Sequence, residues 1–211
     1  MIRAVICDFG GVLTTPVIES FAAYQRESGI TLEDLGKAMA KAMEEDGGRH
    51  PLFELEKGNM TEADFERRLG EALGRPLRPM RETYFANLHP NEPMIELMRT
   101  LRRDGKRMAL LTNNVREWEP HWRAKLPDVD DIFEVVVNSA AVGMRKPEPE
   151  IYTLTLERLG GGLPAEECLF VDDFEANCDT ARELGMTAVR FVDNESALPQ
   201  IEAALRGDDP A

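Results

Sequence analysis

The stretch Val5–Leu13, VICDFGGVL, decides how this chain is read. It opens on a short apolar run of the kind that forms a strand buried on both faces, as in parallel sheets. The run ends on a single carboxylate, Asp8, and Gly10 and Gly11 follow at once. Glycines there let the main chain approach a ligand with no Cβ in the way. Open parallel sheets bind ligands at the carboxyl ends of their strands. The stretch therefore predicts a first strand that delivers Asp8 to a crevice.

Four further runs extend that reading. RMALLT (107–112), EVVVNS (134–139), CLFVDD (168–173) and TAVRF (187–191) join AVICDF (4–9) as expected strands. Helical patterns lie among them. One starts at Asn91, has Pro93 in its first turn, sets Met94, Leu97, Met98 and Leu101 on one face, and stops at Gly105. Others run from Pro149 to Gly160 and from Phe174 to Leu184, where Gly185 stops the helix. Strands alternating with helices imply parallel pairing through right-handed crossovers. Residues 14–106 depart from this rhythm and hold no convincing strand. They read as helices over Val17–Ser28, Thr31–Glu45 and Thr61–Leu73, interrupted by DGGRHPL (46–52). Thr61 has the character of an N-cap, with Asp64 three residues on and Phe65, Leu69 and Leu73 at helical spacing. The expected fold is α/β: a Rossmann-like parallel sheet core (1–14 and 91–211) with an inserted helical unit (15–90). The closing GDDPA (207–211) reads as a frayed end.

The chain has 211 residues, 43% of them hydrophobic and 30% charged, with a formal net charge of −14. That charge argues against nucleic acid or an anionic membrane as partner, because both require a basic footprint. Small anionic substrates remain compatible where a metal or local Lys/Arg reverses the sign. Cys7, Cys168 and Cys178 fit no zinc spacing and no disulfide framework, and read as buried thiols in a reducing compartment. No secretory leader or membrane-length apolar run is legible, so a cytoplasmic location is expected.

The expected strand ends carry a consistent chemistry. The first presents Asp8, the second Thr112 and Asn113, and the fourth Asp172 and Asp173, while GMRKPEP (143–149) delivers Lys146 from a loop. A carboxylate can attack phosphorus and hold an aspartyl-phosphate. Asp8 and a phosphate repel, so a divalent cation is needed between them. Oxygen ligands suit Mg²⁺, and Asp8 with Asp173 or Asp172 supplies them. Lys146 and the Thr112 hydroxyl can hold the transferring oxygens.

These motifs, in this order, resemble the haloacid dehalogenase (HAD) superfamily of hydrolases over essentially the whole chain. The insertion after the first strand is similar to a C1-type cap. GMRKPEPEIYTLTLERLG and CLFVDDFEANCDTARELGM resemble the branch containing the phosphatase domain of soluble epoxide hydrolases and glucose-1-phosphate phosphatases. The resemblance implies that Asp8 is the nucleophile and a Mg²⁺ ligand, with the Gly10 carbonyl and Asp173 as further ligands. It implies phosphate binding by Thr112 and Lys146, beside Asn113. The expected activity is Mg²⁺-dependent hydrolysis of a small phosphorylated metabolite. One departure stands out: phosphatases of the superfamily usually carry an acid/base Asp two residues after the nucleophile, where this chain has Gly10.

Two rival readings use the same residues. A metal-free 2-haloacid dehalogenase attacks carbon with the same Asp, though Asp172 and Asp173 then crowd negative charge around the nucleophile. A non-catalytic binding module keeps the fold without the acid/base. Asn177 either orients Asp173 or simply sits on its helix. Trp118, His121 and Trp122 either line the crevice or a homodimer face, or are ordinary packing. The three histidines, His50, His89 and His121, form no metal cluster in the sequence.

Overall fold

The computed structural model describes residues 1–207. The frayed end expected at 207–211 falls outside them apart from Gly207, which caps the last helix in left-handed conformation. The strands are β1 (Ala4–Cys7), β2 (Arg107–Thr112), β3 (Val135–Asn138), β4 (Cys168–Asp172) and β5 (Thr187–Arg190). They form one parallel sheet in the order β3-β2-β1-β4-β5, as an α/β Rossmann-like fold requires. β1 is central, so the path turns one way to β2 and the other way to β4. That reversal opens a crevice over the end of β1.

The interior of the sheet is apolar because both faces are covered, and polar residues stand at the strand ends. Val5 and Cys7 point into one hydrophobic cluster, with Met98, Leu110 and Val171. Ala4 and Ile6 point into the other, with Leu111, Tyr152 and Phe170.

In chain order the helices after β1 are α1 (Val17–Ser28), α2 (Leu32–Glu45), α3 (Pro51–Glu56), α4 (Glu62–Leu73) and α5 (Arg81–Ala86). The expected N-caps are present: Thr31 and Asp34 form a reciprocal capping box on α2, and Thr61 accepts from the Asp64 amide on α4. α3 lies partly inside the expected break, with Pro51 at its first position. Tyr24, Leu35, Leu55, Phe65, Leu69 and Met80 pack into a cluster of their own, which Val115 joins from beyond β2. The chain leaves and returns side by side. Thr14 and Pro90 form an antiparallel bridge, and the Asn91 amide side chain donates to the Val12 carbonyl at 2.8 Å.

The remaining helices are α6 (Glu92–Arg103), α7 (Glu119–Lys125), α8 (Val129–Ile132), α9 (Ser139–Val142), α10 (Pro149–Leu159), α11 (Glu175–Glu183) and α12 (Asn194–Arg206). Asn91, Pro149 and Gly160 mark helix ends where the sequence places them. Among the described residues, no helix is long and apolar enough to cross a membrane.

Candidate active site

Asp8 lies one residue past β1, and its main-chain amide continues the ladder to Val171 at 2.9 Å. Its side chain thus emerges between β2 and β4 at the crevice. Asp172 ends β4 and Asp173 follows it. Carboxylate oxygens of Asp8, Asp172 and Asp173 all lie within 4.8 Å of one another. Into this cluster the loop before α10 inserts Lys146. Its ammonium bridges Asp8 Oδ1 at 2.8 Å and Asp172 Oδ2 at 2.6 Å. Lys146 is 1% exposed, which an unpaired lysine does not tolerate.

The two acids after β4 differ. Asp172 is fully buried and saturated by protein donors: the Phe174 amide and Asn177 Nδ2 reach Oδ1 at 2.8 and 2.9 Å, and Lys146 holds Oδ2. Asn177 therefore holds Asp172, not Asp173. The Asp173 carboxylate takes no hydrogen bond from another side chain among the described residues, and it faces Gly11. A Cβ built on Gly11 would lie 2.4 Å from Asp173 Oδ2. Gly11 also has φ +80°. Glycine is required there on both counts. Gly10 differs: its φ is ordinary, and a Cβ would meet only Val17 Cγ1, at 3.3 Å. A side chain at position 10 would thus meet an aliphatic carbon first.

Thr112, 1% exposed, ends β2 beside Asp8, and its hydroxyl takes no hydrogen bond among the described residues. Asn113, expected to bind substrate, holds the main chain of Lys146 with both ends of its amide. Nδ2 donates to the Lys146 carbonyl at 2.9 Å, and Oδ1 accepts from the Lys146 amide at 2.8 Å. The side chain splints the loop, as a paired strand would.

The electrostatics follow from burial. Desolvation pushes the Asp8 carboxyl well above the ordinary range; Asp172 and Asp173 push it further, against the pull of Lys146. Asp173 is raised by burial and by Asp172. For Lys146, burial disfavours the charge, but Asp172 and Asp8 outweigh it and keep the ammonium protonated. One ammonium thus faces three carboxylates, an arrangement that a divalent cation would balance. Among the described residues, this is the group of acids close enough to hold a metal ion, and its all-oxygen donors fit Mg²⁺.

Sequence reading alone raised Trp118 but missed Tyr84. Tyr84 on α5 lies 4.9 Å from Trp118, 5.1 Å from Phe85 and 5.7 Å from Phe21 on α1. Burial raises the Tyr84 phenol, and Asp8 and Asp173 add to the shift. Trp118 donates its indole N–H to Glu62 at 2.7 Å. Trp122 is fully buried and packs on Phe9, so it is core and no dimer face. His121 is exposed and stacks on Phe85 at 5.4 Å.

A parallel sheet with an acid-lined crevice at its reversal point, and a lysine bridging two of the acids, defines a class of α/β hydrolase. Residues 2–185 match the family of haloacid dehalogenase-like hydrolases, and the chain belongs to that family. It is 28% identical to the sesquiterpene phosphatase astK of Aspergillus oryzae, over 91% of each chain. It is 27% identical to rat bifunctional epoxide hydrolase 2 over 95% of this chain and 38% of that one. It also matches mouse acyl-CoA dehydrogenase family member 10 at 28% identity, over 96% of this chain and 19% of that one. The chain thus spans well under half of these last two relatives. Among solved structures, it resembles a variant of the HAD family enzyme BT-2542 from Bacteroides thetaiotaomicron, complexed with magnesium and inorganic phosphate. That likeness has a TM-score of 0.68 at 25% identity, over 94% of this chain and 99% of that one.

Proposed function

We propose that this hydrolase is a Mg²⁺-dependent phosphomonoesterase that works through an aspartyl-phosphate on Asp8. The observation that carries the reading is the lysine bridge: Lys146 pins Asp8 by Oδ1 and leaves Oδ2 to attack. Asp8, the Gly10 carbonyl and Asp173 would hold the cation, with Asp172 anchoring Lys146 behind them. Magnesium supplies charge that lets a carboxylate and a phosphate approach each other. The magnesium and phosphate bound to BT-2542 support this assignment by analogy.

In the first step Asp8 Oδ2 forms a bond to phosphorus and the ester P–O bond breaks. The leaving oxygen departs with the bond electrons and takes a proton from solvent. Lys146 and the Thr112 hydroxyl stabilise the charge that builds on the phosphoryl oxygens. Water then attacks phosphorus, the bond to Asp8 breaks, and phosphate leaves with Asp8 regenerated. With Gly10 walled by Val17, no carboxylic acid protonates the leaving oxygen from that position. General acid catalysis is worth about 10²–10⁴-fold, so the site favours esters whose leaving group needs little protonation. Acyl, anomeric and aryl phosphates meet that condition.

Residues 15–90 act as a cap in this reading. Val17, the neighbour of Gly10, and the Phe21–Tyr84 ring pair would form an apolar and aromatic wall on the leaving-group side. Arg49, Arg67 and Arg68 are paired at the surface with Asp46, Asp64 and Glu71. That wall suits an apolar or aryl leaving group, and the similarity to a sesquiterpene phosphatase points the same way. A haloacid substrate is disfavoured, because Asp173 beside Gly11 adds charge that a metal-free attack on carbon does not use. The test is phosphate release from p-nitrophenyl phosphate with Mg²⁺ and with EDTA, beside chloride release from 2-chloropropionate. Phosphate release that EDTA abolishes supports the reading, and metal-independent chloride release overturns it.

A further inference from the structure

The loop that carries Lys146 is gripped from two sides. Asn113 holds its main chain from the sheet, as described above. The other grip comes from the insertion. Glu56 at the end of α3 accepts from Arg145 Nε at 2.7 Å, and the two side chains are 16% and 14% exposed. The Arg145 guanidinium lies 3.9 Å from the centre of the Phe53 ring, one helical turn earlier. The next residue, Lys57, pairs with Glu148, which also accepts from the Arg145 amide at 3.3 Å. Gly58 then packs directly on the core. A Cβ there would lie 2.4 Å from the Ala140 carbonyl and 2.5 Å from Arg116 Nη2. Arg116 itself donates to that carbonyl at 2.7 Å. Phe53, Glu56 and Lys57 are thus seated on the segment that delivers Lys146, and Gly58 packs beside it on Ala140 and Arg116.

We propose that Glu56 and Arg145 are positioning residues: α3 seats the loop through this pair and so fixes the Lys146 ammonium between Asp8 and Asp172. The chemistry favours such a role. Arg145 and Lys146 are consecutive, so a shift of the guanidinium drags the main chain of the lysine. A planar guanidinium stacked on a ring and hydrogen-bonded to a largely buried carboxylate has few alternative placements. The pair is shielded from solvent, so it is screened far less than the surface pairs elsewhere on the chain. Losing Glu56 leaves Arg145 with no carboxylate partner, and the loop relaxes toward water to solvate it. The inference rests on the phosphatase reading only for the catalytic role of Lys146, not for its placement.

The test therefore has one readout without catalysis and one with it, on the full chain. Trinitrobenzenesulfonate modifies accessible lysine amines, and mass spectrometry reads the rate at each site. Lys146 is buried and should react slowly in the wild type. Lys106, half-buried with its ammonium on the Ile2 carbonyl at 2.6 Å, lies at the opposite end of β2 and reports general loosening. In Glu56→Gln and Arg145→Gln, Lys146 should react about tenfold faster with Lys106 unchanged. In the same variants kcat for p-nitrophenyl phosphate should fall about tenfold with KM little moved, as a displaced catalytic group predicts. Arg145→Lys keeps a cation opposite Glu56 but loses the planar group stacked on Phe53, and should fall between wild type and Arg145→Gln on both readouts. Wild-type labelling of Lys146 in both glutamine variants overturns the proposal. So does acceleration at Lys106 equal to that at Lys146. A wild-type chain that releases no phosphate defeats the phosphatase reading instead, and the labelling then decides this inference alone.

Discussion

Gly11 and Gly10 are neighbours with opposite expected sensitivities, and Gly11→Ala is the sharper perturbation. Its new Cβ would stand 2.4 Å from Asp173 Oδ2 and 2.9 Å from Cγ. An ordinary contact needs about 3.4 Å, so the carboxylate must retreat by about 1 Å, and misplacement on that scale can cost about 10²-fold in rate. The left-handed backbone, φ +80°, adds about 1–2 kcal/mol of strain for a residue with a Cβ. At about 2–4 °C per kcal/mol for a chain of this size, Tm should fall by only a few degrees. The expected variant is folded, with kcat/KM down about 10²-fold at low Mg²⁺ and partly restored as Mg²⁺ is raised. Gly10→Ala meets only Val17 Cγ1, at 3.3 Å with ordinary φ, and should stay close to wild type. The assay is phosphate release titrated with Mg²⁺, beside a thermal melt of each variant. A Gly11→Ala enzyme with wild-type Mg²⁺ dependence would refute the role assigned to Asp173.

The acidic pair should separate by phenotype. Asp173→Ala should weaken Mg²⁺ in an activity titration and leave Tm nearly unchanged, whereas Asp172→Ala leaves Lys146 short of a buried partner and should lower stability by about 3–5 kcal/mol; denaturant melts that rank the two the other way would reverse the assignment. Lys146→Ala should lower kcat/KM about 10²–10³-fold while the protein stays folded, and an unchanged kcat/KM would remove Lys146 from the chemistry. Across phosphomonoesters of graded leaving-group pKa, the wild type should show a steep dependence and Gly10→Asp, made with Val17→Ala to clear space, a flatter one. A flat wild-type series, measured where chemistry limits, would mean that another group supplies the missing proton.

The sheet was legible because burial on both faces leaves uninterrupted apolar runs, and Asp8, Thr112 and Asp172 end three of them. Helices with strong punctuation, such as Thr31 with Asp34 or Pro149 with Gly160, were equally readable. α12 was not, because Pro199 inside it imitates a helix breaker while the rest of the helix carries on around it. The short helices α3 and α5 have too few turns to show a period. At the site, sequence order alone brings Asp8, Lys146 and the acidic pair to one end of the sheet. It is silent on hydrogen-bond partners, which depend on ångström-scale placement. Thus neither the bonds by which Asn113 splints Lys146 nor the bond by which Asn177 holds Asp172 is legible in the sequence. The pairing of Glu56 with Arg145 joins residues 89 positions apart, and no local pattern announces it.

The central claim is that phosphate passes through Asp8. The most direct measurement is an acid quench of wild-type enzyme during turnover, followed by mass spectrometry of the peptide containing Asp8. The account predicts one phosphoryl group on that carboxylate in the presence of Mg²⁺, none with EDTA, and none in Asp8→Asn, which should also lose turnover. Turnover that continues in Asp8→Asn at more than about a tenth of the wild-type rate, far above what loss of an essential nucleophile permits, would contradict it.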